Sequence, residues 1–215
     1  MNISQLLGIT PPIVAPYLST IPCVNPDLVI GLELETENCG ALSASTYSKI
    51  CGKTNFRMET DGSLRGVAYE FISQPMFSTN ALAALDDFFG ATKFTDDNYT
   101  DRYSVHVHLN CTDLTTQQVS SVALLYTIME EILFEFVGGD RDTNIYCIPW
   151  NQCRQHLDLV NKFLRDSDYI LRGWNKYTAL NLLPLRSQGT VEFRQMHGTA
   201  AVSYTHLTLP TNREV

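Results

Sequence analysis

The chain has 215 residues, 44% of them hydrophobic and 18% charged, with 12 Gly and 9 Pro, which suits one globular domain and excludes a disordered acidic tail, a collagen-like chain or a coiled coil. Fifteen Lys and Arg against 23 Asp and Glu leave a net charge of -8. That balance argues against a nucleic-acid partner held by phosphate neutralisation, and it allows an enzyme that grips cations or metal–nucleotide complexes.

Residues 1–27 are proline-rich and lack a lasting period, so they predict an arm with a short helix at most. Leu28–Glu35 (LVIGLELE) alternates apolar and acidic side chains, the pattern of a half-buried strand. Ala41–Ile50, set between Gly40 and Gly52, predicts a short helix. Phe56–Glu59 and Val67–Ser73 predict two strands joined through a tight Asp61-Gly62 turn. Ser78 is positioned to cap a helix over Asn80–Phe89.

Tyr103–Asn110 (YSVHVHLN) alternates again and predicts a strand. Asp113 or Thr115 then opens a long helix that reaches Val137 and stops at Gly138-Gly139. Val122, Leu125, Met129, Ile132 and Phe136 form its predicted core stripe. A further helix is expected over Asn151–Leu164, then strands over Tyr177–Leu183 and Thr190–Met196 joined by a polar turn. Strands with helices between them and hairpin-length gaps predict an α+β fold, with a mostly antiparallel sheet and helices against one face.

Val202–Val215 (VSYTHLTLPTNREV) breaks this style and resembles the in-frame translation of a sequencing-library transposon adapter. The expectation is a non-native tail in which His206, Arg213 and Glu214 carry no function, with the natural chain continuing past Ala201. No stretch of about eighteen apolar residues occurs, and the amino terminus has no basic flank, so a cytoplasmic protein that neither spans nor binds a membrane is expected. Cys23, Cys39, Cys51, Cys111, Cys147 and Cys153 contain no Cys-x-x-Cys pair, which predicts reduced, mostly buried thiols.

The chemistry-bearing residues come in pairs at i and i+2 on predicted strands, which puts both members on one face. Glu33 pairs with Glu35, His106 with His108 and Glu192 with Arg194, while Glu70 sits on a further strand. Each pair alone has a plain explanation: a solvated edge, packed histidines, an exposed ion pair. Together they place many ionisable groups on sheet faces rich in Val, Leu and Phe, an arrangement that is costly unless a cation or ligand compensates it. Glu33, Glu35, Glu70 and Glu192 supply the carboxylate oxygens that Mg2+ prefers, and Arg194 and Arg141 supply guanidinium groups that match phosphate. The chain has no GxxxxGK[ST] or GxGxxG loop, so metals and basic side chains would have to hold the phosphates.

The motif order resembles that of the amidoligase family, related to glutamine synthetase and glutamate–cysteine ligase. It runs Glu33-x-Glu35, Asp61-Gly62-Ser63 with Glu70, Ser73 and Pro75, His106-x-His108, Arg141 with Tyr146, Lys176-Tyr177 with Asn181, and Glu192-x-Arg194 before Gly198-Thr199. The resemblance covers Leu28–Ala201 and leaves residues 1–27 outside. It implies a catalytic domain over 28–201 like that of glutamine synthetase, on a curved antiparallel sheet. It also implies an ATP- and Mg2+-dependent ligase that joins a small-molecule or peptide carboxylate to an amine through an acyl phosphate. By the same resemblance Glu35 and Glu70 would hold one metal, and Glu33, Glu192 and His106 another, with His108 as a structural partner. Arg194 would bind nucleotide phosphates, Arg141 and Lys176 are candidate charge neutralisers, and Asp61 would ligate metal or take the proton of the amine. Two alternatives remain: a zinc hydrolase built on His106-x-His108, with His156 and His197 the other histidines outside the tail, and an inactive binding module on the same fold.

Overall fold

The computed structural model describes residues 1–14, 27–60, 66–92, 94–95, 103–138, 141–153, 158, 160, 162 and 174–198. Among the described residues seven strands make up an open antiparallel sheet. They are β1 (Val29–Thr36), β2 (Phe56–Glu59), β3 (Tyr69–Ser73), β4 (Met76–Phe77), β5 (Ser104–Asn110), β6 (Leu180–Asn181) and β7 (Thr190–His197). The order is β2-β3-β1-β5-β7-β6, with β4 paired to β1. The chain divides into two compact units, Met1–Pro12 with His108–Gln195 and Ile13–Val107 with Met196–Val215. Strands β5 and β7 each run through both.

In the unit built on Ile13–Val107, β1 pairs with β3 so that Glu33 lies opposite Ile72 and Glu35 opposite Glu70. β2 then pairs with β3 and sets Glu59 opposite Glu70. Alternation along β1 sends Leu32 and Leu34 to one face and Glu33 and Glu35 to the other. The apolar face packs against α2 (Ala44–Thr54) and α3 (Ala81–Thr92). Its centre is an aromatic cluster: Phe71 lies 5.6 Å from Tyr47 and 5.0 Å from Phe88, and Phe88 lies 4.4 Å from Phe56. Each such ring contributes roughly 1.5–3 kcal/mol on burial. This cluster leaves the opposite face of the sheet to the carboxylates.

The helix expected over Ala41–Ile50 starts later, because Ser43 accepts from the Thr46 amide and fixes the amino end of α2. It ends at Asn55, whose φ of 59° turns the chain directly into β2. A 3-10 turn over Ser78–Asn80 leads into α3, close to the start expected at Asn80. The Asp61-Gly62 turn lies outside the described residues.

In the unit built on His108–Gln195, α1 (Ile3–Leu7) has an Asn2/Gln5 capping box and is tied down by Ile3 N–H donating to the Leu114 carbonyl at 2.7 Å. α4 (Thr116–Val137) begins with a Thr115/Gln118 capping box and ends at Gly138, as its sequence signals indicate. Its expected core stripe is on the wrong side. Val119, Ala123, Tyr126, Phe134 and Val137 are buried, whereas Leu125, Ile132 and Phe136 are exposed and Ile128 reaches 76% exposure. Glu130 occupies the buried face because its carboxylate accepts from the Trp150 and Asn151 amides at 2.7 and 3.2 Å. Burial pushes its pKa above the usual carboxylate value, and those two amides partly offset the rise.

The expected polar turn between the last two strands is instead a short helix, α5 (Pro184–Ser187), begun by a proline at its first position. Gly189 then re-enters the sheet at φ +70°, where a Cβ would meet Thr112 Cγ2 at 2.6 Å, so only glycine fits. The helix expected over Asn151–Leu164 falls mostly outside the described residues. Among the described residues no helix is long and apolar enough to cross a membrane. Cys39, Cys51, Cys111 and Cys147 are free and buried and Cys153 is free and half-buried, in line with the reduced thiols expected; Cys23 is outside the described residues.

Candidate active site

In the Ile13–Val107 unit the acidic face of the sheet gathers Glu33 and Glu35 from β1, Glu70 from β3, and Ser104 and His106 from β5. His106 is 1% exposed, and its Nδ1 lies 3.1 Å from Glu33 Oε2. Its Nε2 lies 2.7 Å from Ser104 Oγ and 3.8 Å from Glu35 Oε2. That same Glu35 oxygen accepts from the Ser104 hydroxyl at 2.8 Å and from the Ser104 amide at 3.1 Å. Glu33, Glu70 and His106 each offer a ligand atom, and the three atoms lie within 4.8 Å of one another. Two carboxylates and an imidazole at this spacing suit a small divalent cation that favours oxygen ligands.

In the His108–Gln195 unit a second charged group forms around β7. Glu192 Oε2 accepts from Asn181 Nδ2 of β6 at 2.7 Å, and its Oε1 accepts from Arg194 Nη1. Arg194 Nε donates to the Tyr146 carbonyl at 3.3 Å, and its side chain keeps partial exposure. Arg141, only 1% exposed, donates from Nε to the Gln195 carbonyl at 3.0 Å and from Nη2 to the Arg194 carbonyl at 2.7 Å. It therefore braces the backbone of β7. Burial pushes the neighbouring Cys147 thiol up to about 11, against the opposing pull of both arginines. His108 Nδ1 bonds Thr190 Oγ1 at 2.9 Å. Lys176 is exposed, with its Nζ 4.9 Å from the centroid of Tyr177, and the Tyr177 ring packs edge-on against Tyr146 at 5.5 Å.

Of the residues singled out from sequence, Glu33, Glu35, Glu70 and His106 thus meet within one unit, and Arg141, Glu192 and Arg194 meet within the other, with Lys176 joined through Tyr177 and Tyr146. Asp61 and His156 lie outside the described residues, as does the 202–215 tail. Sequence reasoning passed over Ser104 and Glu59. Ser104 sits two residues before His106 in an alternating strand, which already places it on the same face; Glu59 shows only through the β2–β3 register.

Residues 40–215 match a family model described as "Putative amidoligase enzyme". The chain belongs to the amidoligase family. The match takes in Glu70, His106, Arg141, Lys176, Glu192 and Arg194, starts after Glu33 and Glu35, and runs through the carboxyl-terminal segment. Among curated proteins no relative matches the chain. An amidoligase is a ligase enzyme, and the family implies ATP as the energy source and carboxylate and amine substrates.

Proposed function

We propose that this amidoligase joins a small-molecule or peptide carboxylate to an amine in an ATP- and Mg2+-dependent reaction that passes through an acyl phosphate. The observation that carries the reading is the Glu33–Glu70–His106 group, three ligands from three adjacent strands backed by an aromatic core. These residues would hold one Mg2+. Glu35, Cα partner of Glu70 across the β1–β3 ladder, would join Glu70 at a second ion through the oxygen not bonded to Ser104. Bound Mg2+ would neutralise the charge of the nucleotide phosphates and of the phosphoryl group in transfer.

The remaining roles belong to the chain itself. A free carboxylate resists amine attack because oxide is a poor leaving group. Its oxygen therefore takes the γ-phosphoryl group of ATP, releasing ADP. The amine nitrogen then displaces phosphate from the acyl carbon, giving an amide, and a carboxylate takes up the proton the nitrogen sheds. Arg194, held by Glu192 and the Tyr146 carbonyl, binds nucleotide phosphates through a preorganised guanidinium. Arg141 contributes by fixing the carbonyls of Arg194 and Gln195. Glu192 holds Arg194 and Asn181 and stands as a further metal ligand, and Lys176 offers an exposed positive charge for a phosphate or a substrate carboxylate. Asp61 is proposed as the base for the amine or as a metal ligand. A reducing, cytoplasmic setting fits the free thiols.

The test measures phosphate release from ATP by the full chain with Mg2+, across a panel of amino acids and short peptides as carboxylates and of amines as acceptors. Release that needs Mg2+, a carboxylate and an amine together supports the ligase. Zn2+-dependent cleavage without nucleotide contradicts it.

A further inference from the structure

We infer that Ser104 is a positioning residue: it locks His106 in the tautomer that carries its proton on Nε2 and so aims the Nδ1 lone pair at the cation group. This inference rests on the metal-binding part of the proposed function and adds a residue to it.

The argument is a count of protons. Ser104 Oγ stands between Glu35 Oε2 at 2.8 Å and His106 Nε2 at 2.7 Å. A hydroxyl has one proton and a carboxylate only accepts, so the Ser104 proton goes to Glu35. Oγ is then left as an acceptor, and the group it accepts from is Nε2–H of His106. A neutral imidazole carries one ring proton, so Nδ1 presents a lone pair. That lone pair faces Glu33 Oε2 at 3.1 Å, and Glu70 completes the group.

Two acceptors at that distance require positive charge between them. A divalent ion bound there would supply it, with Nδ1 and the Glu33 oxygen as its ligands. The opposite tautomer would turn an N–H toward the cation and remove one of its three ligands.

The strand period makes the arrangement possible. Ser104 and His106 are two apart on β5, and Glu33 and Glu35 are two apart on β1, so each pair shares a face. Glu35 thereby meets Ser104, and Glu33 meets His106. Ser104 and His106 are each 1% exposed, so water does not compete for these bonds. Partners of this kind behind a metal-bound histidine commonly control metal affinity by 10–100-fold.

The test uses Mn2+ as the probe, titrated into the full chain and followed by electron paramagnetic resonance, with long-range 15N–1H correlation of His106 as the second readout. Ser104→Ala removes the hydroxyl that lies 2.7 Å from Nε2, and the Glu35 oxygen at 3.8 Å is too far to replace it. It is expected to weaken Mn2+ binding by about 10–100-fold, and Ser104→Thr, which restores the hydroxyl, to recover most of the loss. Wild-type protein with Mg2+ is expected to show the proton on Nε2. Wild-type Mn2+ affinity in Ser104→Ala, alongside a loss in Glu33→Gln, overturns the role of Ser104 and leaves the metal group standing. Absence of Mn2+ binding by wild type overturns both. A proton on Nδ1 overturns the inference whatever the metal data show, and this measurement on wild type also decides the matter should Ser104→Ala fail to fold.

Discussion

Glu35 of β1 and Glu70 of β3 are direct cross-strand partners, and Glu59 of β2 lies on the other side of Glu70. Like charges opposite one another on a sheet cost roughly 0.2–1 kcal/mol per pair, a cost that Arg57 Nε, 2.6 Å from Glu59 Oε1, and the Ser104 bonds to Glu35 offset in part and that a bound cation would relieve further. Glu70→Gln should therefore leave the metal-free protein as stable as wild type or slightly more so. The same variant should lose most of the rise in Tm that millimolar Mg2+ gives wild type, because a ligand that binds only the native state stabilises it. Thermal melts with and without Mg2+ check both parts, and an undiminished Mg2+ response in Glu70→Gln would remove that residue from the cation group.

Arg194 is held through two different nitrogens, Nη1 on Glu192 and Nε on the Tyr146 carbonyl. A lysine keeps the charge but cannot make both contacts while meeting phosphate with a planar fork. Arg194→Lys is expected to lower ATP turnover by about 10²-fold or more while changing Tm by only a few degrees. Steady-state phosphate release together with a melt separates these effects.

The two faces of α4 predict opposite mutational behaviour. Phe134→Ala, on the buried face, should cost about 3–5 kcal/mol of unfolding free energy. Ile128→Lys, on the exposed face, should stay within about 0.5 kcal/mol of wild type. Urea unfolding of both variants provides the comparison, and a large loss in Ile128→Lys would mean that something covers that face.

Glu130 gives stability a pH dependence of known sign. Burial raises its folded-state pKa above the ordinary carboxylate value of about 4.5. A raised acid binds protons more tightly when folded, so its contribution is present below the unfolded pKa and is lost as pH rises through the folded one. Wild type should thus lose stability relative to Glu130→Gln as pH climbs upward from about 4.5. Parallel urea titrations at several pH values measure the difference, and a wild type that gains stability relative to Glu130→Gln over that range would contradict the assignment.

The strands were legible because alternation is a local signal: LVIGLELE and YSVHVHLN announce β1 and β5 together with the faces their acids and histidines occupy. The pairing of those strands was not, since register depends on partners distant in sequence; Glu59 therefore joined the acidic row only once β2 and β3 were aligned. The inward side of α4 was misread for a different reason. That helix is apolar on two sides, and a period of 3.6 cannot say which side faces the core when Leu125 and Ile128 are as apolar as Val119 and Phe134. A buried Glu130 looks like a solvent marker in sequence, and only its bonds to the Trp150 and Asn151 amides reveal why it lies inside. Arg141 illustrates the same limit: its charge suggests contact with phosphate, and nothing in the sequence shows that its Nε and Nη2 also bond the Gln195 and Arg194 carbonyls.

The most direct test of the account is anomalous scattering from crystals of the full chain soaked in Mn2+. The account predicts a peak bounded by Glu33, Glu70 and His106 that vanishes in Glu33→Gln. Crystals in which that position stays empty, or in which Mn2+ collects elsewhere with those three residues uninvolved, would contradict it.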